Sequence, residues 1–163
     1  MRATEIIPGL WQSDWPNDTA WMVEHRIRTV VTPVPDSQGI GTYLRALPPY
    51  PEGVRIFRFP FLDTPGAVPP PGWLAAASAA VVEAMPRGPV LVHCAAGNNR
   101  STGIVAASLM RLRGCTAAEA MASITAVRQV APAPETLAAL RDFEAERRRP
   151  DADSLPPAAP PVS

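Results

Sequence analysis

The chain has 163 residues, 47% of them hydrophobic and 18% charged, which fits one folded domain and excludes a disordered or coiled-coil chain. Fifteen basic residues balance fifteen acidic ones, so no net field recruits nucleic acid or an anionic membrane, and neither is expected as a partner. All fifteen basic residues are arginine, which excludes lysine Schiff-base chemistry and a Walker-type phosphate loop.

Thr4 to Ile7 and Leu10 to Gln12, separated by Pro8 and Gly9, predict a small hairpin. Asp18 to Glu24 predicts a short helix, and the β-branched run Ile27 to Val34 predicts a buried strand that stops at Pro33 and Pro35. Asp36 to Pro51 reads as loop. Val54 to Phe59 predicts a second core strand, closed by Pro60 just before Phe61-Leu62-Asp63. The Ala-rich stretch Trp73 to Met85 has the propensity of a helix ended by Pro86. Pro89 to His93 is short and nearly all apolar, as is a strand covered on both faces of a parallel sheet. Ser101 to Arg113 predicts a buried helix with Gly114 as its cap, and Thr116 with Glu119 forms a capping box opening a helix to about Gln129. Glu135 to Arg148 predicts the last helix, with Leu137, Leu140 and Phe143 on one face. Residues 150 to 163 hold five prolines and no periodic pattern, and read as a disordered tail.

Strands alternating with helices predict a single α/β domain with a mainly parallel central sheet flanked by helices, whose ligands sit at the carboxyl ends of the strands. Cys94 and Cys115 form no disulfide framework, and no Cys or His pairs show zinc-ligand spacing, so no metal or cofactor is expected. The opening residues lack a secretory pattern and no run approaches the ~20 apolar residues of a membrane span, so a cytoplasmic location is expected.

Between strand 89–93 and the buried helix lies HCAAGNNRS, residues 93–101. A thiol at a strand end faces a loop of backbone N–H groups leading into a helix N-terminus, an arrangement that favours negative charge. The Cys94 thiol is therefore expected to ionise near neutral pH. Ala95, Ala96, Gly97, Asn98, Asn99 and Arg100 form the expected phosphate-binding set. Gly97 supplies backbone freedom there, and Arg100 a planar fork for two phosphate oxygens. Ser101 can donate to sulfur when sulfur leaves, and His93 supports the loop backbone rather than exchanging protons. A leaving oxygen also needs a proton donor, for which Asp63, 31 residues before Cys94 in a Pro- and Gly-containing loop, is the candidate; Asp36 is the competitor.

Cysteine, five residues, arginine and then serine, with His ahead and Gly three after, resembles the signature of the protein tyrosine phosphatase superfamily. The dual-specificity branch is the closer likeness, because its catalytic acid occupies a comparable loop at about the separation of Asp63. Glu5 to Trp11 looks like the opening of those phosphatases, and Val127-Arg128 through Phe143 is similar to their C-terminal helix pair. The likeness covers about residues 3 to 146, although the Asn and aromatic positions common in the family are Ala, Pro and Thr around Ala131 to Thr136. It implies a catalytic domain over 1–149 and a cysteine-dependent phosphomonoesterase acting on a phosphorylated protein or small molecule. Phosphotyrosine leads that expectation, with phosphoserine, phosphothreonine and small metabolites behind it. The rival readings are a phosphate-binding interaction module, favoured only if Asp63 fails to reach the loop, and a sulfurtransferase. Inactivation by peroxide is expected of an exposed reactive Cys94, a structural role of Cys115. Trp11, Trp15, Trp21 and Trp73 read as core before they read as pocket.

Overall fold

The computed structural model describes residues 1–34 and 50–149. The Asp36 to Pro51 loop, apart from its last two residues, and the 150–163 tail lie outside them, as does Asp36 itself. Apolar alternation and the Pro8-Gly9 turn fold Ala3–Ile7 (β1) against Leu10–Ser13 (β2) as an antiparallel hairpin. Asp18 then caps Thr19–Glu24 (α1) through its side chain, which accepts from Trp21 N. Thr29–Thr32 (β3) and Arg55–Arg58 (β4) pair in parallel.

Val90–His93 (β5) lies between β2 and β3, parallel to both, in the order β1-β2-β5-β3-β4. All four of its residues are buried, which is why its sequence is a continuous apolar run rather than an alternation. Trp73–Ala84 (α2) passes into a 3-10 turn containing Pro86, and Arg100–Arg113 (α3) follows β5. Residues 100 to 110 of α3 are buried without exception, and Ser108 satisfies its hydroxyl within the helix by donating to Ile104 O at 2.7 Å. The helix ends on Gly114 in the left-handed region.

Ala117–Thr125 (α4) opens with the expected capping box on Thr116 and Glu119. It stops four residues short of Gln129, because the chain turns at Val127 and Arg128, whose N–H groups both donate to Ile124 O. That turn carries the Arg128 side chain inward, where it satisfies carbonyls of three other segments. Pro134–Arg147 (α5) completes the domain, with Leu140 and Phe143 buried and Leu137 packed against the same core. Trp15 and Trp73 are buried, while Trp11 and Trp21 pack on a smaller cluster around Met22, Ile27, Val30 and Leu91. No helix among the described residues is long and apolar enough to cross a membrane.

Candidate active site

Parallel register brings the carboxyl ends of four strands to one edge, with Ser13 opposite His93 and Thr32 opposite Arg58. The chain continues from β4 alongside the end of β3, where Phe59 N donates to Thr32 O at 2.9 Å and Phe61 N to Pro33 O at 3.0 Å. This carries the Asp63 loop to the same edge as the loop that follows β5.

Cys94 is 1% exposed at the foot of that loop. Its Sγ accepts from Gly97 N at 3.2 Å and lies 3.2 Å from Ser101 Oγ. The serine oxygen also accepts from Gln12 Nε2 at 3.2 Å, so its own proton is free for the sulfur when the sulfur is an anion. The expectation of peroxide sensitivity rested on an exposed thiol, and burial of Cys94 removes that premise.

Four of the loop carbonyls are tied to groups of the protein. Ala95 O accepts from Trp15 N at 3.0 Å, Asn98 O from the Thr102 hydroxyl at 2.9 Å and Asn99 O from Gly103 N at 3.0 Å. Gly97 O accepts from Gln12 Nε2 at 3.1 Å and from Arg128 Nε and Nη2, both at 3.4 Å. By contrast, the amides of Ala95, Ala96, Asn98, Asn99 and Arg100 donate to no group among the described residues. A loop with four of its carbonyls engaged and five unclaimed amides at the start of α3 has the arrangement that favours an anion.

Arg100 is buried, and its Nη1 donates to Phe61 O at 2.6 Å. Its Nε lies 3.5 Å from Asp63 Oδ2 as an ion pair without hydrogen-bond alignment. The guanidinium is thus anchored at one corner by the acid loop itself. The second Asp63 oxygen accepts from Asn99 Nδ2 at 2.8 Å. Cys94, Arg100, Ser101 and Asp63 therefore converge.

His93 is wholly buried. Its Nδ1 donates to Cys94 O at 3.3 Å, because a carbonyl can only accept, and Nε2 then accepts from the Tyr50 hydroxyl at 2.7 Å. Burial is the main cause that pushes its pKa down to about 3, outweighing the hydrogen bond to the Cys94 carbonyl; Arg58 and Arg100 lower it further. The ring is a neutral brace for the loop.

Gln12, Arg128 and Tyr50 support the site without having been singled out for it from the sequence. Gln12 Nε2 bonds Gly97 O, Ser101 Oγ and Thr102 Oγ1, while Arg128 Nη1 reaches Arg2 O at 2.8 Å, Thr4 Oγ1 at 3.0 Å and Gln12 O at 3.3 Å. A glutamine among apolar strand residues was the available signal for Gln12. Arg2 also donates to Asn98 Oδ1 at 3.1 Å, setting an exposed cation beside the loop. A groove of about 410 Å³ lies elsewhere, between residues 68–75 and α5, and includes neither Cys94 nor Arg100. The loop that cradles Cys94 is thus separate from that groove.

The family model of the dual specificity phosphatase catalytic domain matches residues 49–146, more than half of the chain. The structure of human DUSP28 is similar over 90% of this chain and 95% of its own, at 25% identity and a TM-score of 0.73. A mouse dual specificity phosphatase complexed with zinc tungstate is similar over 90% and 88%, at 26% identity and a TM-score of 0.73. PTPMT1, at 24% identity, is similar over 89% and 95% with a TM-score of 0.73, a likeness of fold. No curated protein sequence gives a significant match.

Proposed function

Because this chain belongs to the dual specificity phosphatase family of the protein tyrosine phosphatase superfamily and is a phosphatase, we propose that it hydrolyses phosphomonoesters through a phosphocysteine on Cys94. The Cys94 thiolate attacks phosphorus in line, forming the S–P bond as the P–O bond to the leaving group breaks, and Asp63 gives its proton to the departing oxygen. Water then attacks phosphorus, Asp63 takes its proton, and the S–P bond breaks to release inorganic phosphate, with Ser101 donating to the returning thiolate. The amides of residues 95–100 and the Arg100 guanidinium hold the equatorial oxygens where charge accumulates.

The observation that carries this reading is the placement of Cys94 Sγ, 3.2 Å from Gly97 N, at the foot of a loop in which the carbonyls of Ala95, Gly97, Asn98 and Asn99 are taken up by other partners while five amides are not. Asp63 reaching Asn99 and Arg100 favours turnover over a phosphate-binding module. The side chains of Ala95, Ala96, Asn98 and Asn99 carry no charge, so the cradle offers one buried guanidinium, matched to a single phosphoryl group. That favours a single phosphoryl group over a polyanion, and because a phenol leaves more readily than an alcohol, phosphotyrosine and aryl phosphates stand ahead of phosphoserine, phosphothreonine and small phosphorylated molecules. PTPMT1 has a structure in complex with PI(5)P; the uncharged loop side chains here speak against a polyanionic lipid. The exposed Arg2 beside Asn98 suits an acidic residue next to the phosphorylated one.

Acid-quenching the enzyme during turnover of a radiolabelled aryl phosphate should trap label on Cys94, and Cys94→Ser should lose both label and turnover. Turnover retained by that variant would refute the proposal. A panel of phosphopeptides, phosphoinositides and nucleotides ranks the substrates.

A further inference from the structure

The Asn99 side chain ties three separated parts of the chain together. Its Oδ1 accepts from the Ala133 N–H at 2.8 Å and from the Thr136 hydroxyl at 2.7 Å. Both lone pairs of that oxygen are then used, which fixes the amide orientation and leaves Nδ2 as the donor. Nδ2 donates to Asp63 Oδ1 at 2.8 Å, while Asp63 Oδ2 faces Arg100 Nε at 3.5 Å.

The two groups that orient this amide belong to a rigid part of the fold. Ala133 lies between Pro132 and Pro134, which carry no N–H, and its backbone is extended at φ −65° and ψ 153°. Thr136, the third residue of α5, is buried, with its methyl group packed close to Gly103 of α3. Asp63, in contrast, stands on a segment without helix or strand, and its side chain is 38% exposed. A carboxyl on such a segment needs an external hold to be ready at the cradle.

We propose that Asn99 is a positioning residue for the proton donor: its amide, oriented by the start of α5, holds the Asp63 carboxyl at the rim of the cradle. Since Oδ1 is engaged as an acceptor, the transferable proton sits on Oδ2, on the Arg100 side, and moves from there to the leaving oxygen as the P–O bond breaks. This inference rests on the phosphatase reading above, with Asp63 as its acid. It gives the Asn99 side chain a task distinct from that of its backbone amide, which belongs to the phosphate cradle.

The test is the dependence of kcat/KM on leaving-group acidity across a series of aryl phosphates, measured for the wild type, Asn99→Leu, Thr136→Val and Asp63→Asn. Loss of a positioned acid weighs most where the leaving phenol is least acidic. Asn99→Leu should therefore lose roughly 10-fold more activity at the weakly acidic end of the series than at the strongly acidic end. Thr136→Val, which removes one donor to Asn99 while keeping its shape, should steepen the dependence in the same direction by a smaller factor. Adding Asn99→Leu to Asp63→Asn should steepen it no further. A uniform loss across the series in Asn99→Leu and Thr136→Val would overturn the proposal, because Asn99 would then serve only the shape of the cradle. Should Asn99→Leu fail to fold, Thr136→Val decides on the same criterion. If Asp63→Asn itself leaves the dependence unaltered, Asp63 is not the acid, and that failure is recognised by the acid's own variant rather than by Asn99's.

Discussion

A β-carbon at Gly97 would sit 2.5 Å from Arg128 Nη2, 2.6 Å from Asp14 N and 2.8 Å from Ser13 C, on a backbone with φ +71°. Two of those neighbours are backbone atoms of the β2 end and cannot swing aside. Gly97→Ala should therefore cost on the order of 2 kcal/mol in left-handed strain and overlap, and should distort the amide that faces Cys94 Sγ. Urea unfolding and aryl phosphate turnover should both report the loss. His93 makes a pH prediction. Its ordinary value of 6.5 falls to about 3 in the folded chain, so the unfolded state takes up the proton first. The stability it contributes is complete above the unfolded value and drains away as pH falls below about 6.5, reaching a loss of about 2 kcal/mol near pH 5. Unfolding free energies of His93→Gln should fall less steeply over that interval than those of the wild type; equal slopes would show that the ring does not control it.

Among the elements, β5 and α3 are set by burial on every side, and the loop between them inherits their positions. Helices α3 and α5 approach each other tightly at Gly103, where a β-carbon would meet Thr136 Cγ2 at 2.8 Å. Gly103→Ala should push Thr136 outward, at roughly 1–3 kcal/mol for an overpacked contact. Because the Thr136 hydroxyl bonds Asn99, the same variant should reduce activity by more than its stability loss explains. Activity assayed well below the melting temperature separates the two effects. The early end of α4 belongs to this scale as well: helix propensity would have continued through Val127, but burying the Arg128 guanidinium required the turn.

Across the whole molecule, Arg128 joins the N-terminal segment, both hairpin strands and the phosphate loop through Arg2 O, Thr4 Oγ1, Gln12 O and Gly97 O. Removing it takes this donor from Arg2 O, Thr4 Oγ1 and Gln12 O, while Gly97 O keeps Gln12 Nε2, and an oxygen left buried without a donor costs about 1–3 kcal/mol. Arg128→Ala should lower the unfolding free energy by on the order of 3 kcal/mol, read from urea denaturation, and should raise KM through a loosened loop. An unchanged denaturation midpoint would show that solvent replaces these contacts without cost.

The strand, loop and helix from Val90 to Arg113, with Cys94, Arg100 and Ser101 within it, were legible in the sequence, because neighbouring residues there form one local unit whose period and glycine show its shape. The hairpin, the capping box on Thr116 and the last helix were legible for the same reason. What joins distant segments was not. Gln12 lies 89 residues from Ser101, Arg128 lies 126 from Arg2, and Asn99 meets Asp63 and Thr136 across 36 and 37. Hydrogen bonds at such separations leave no periodic trace, since any polar residue of suitable length looks alike until the sheet order brings its partner near. Three of the residues proposed to carry the reaction, Cys94, Arg100 and Ser101, are thus written in one short stretch, whereas Asp63 is brought to them, and the groups that hold them in place were chosen, only by tertiary packing.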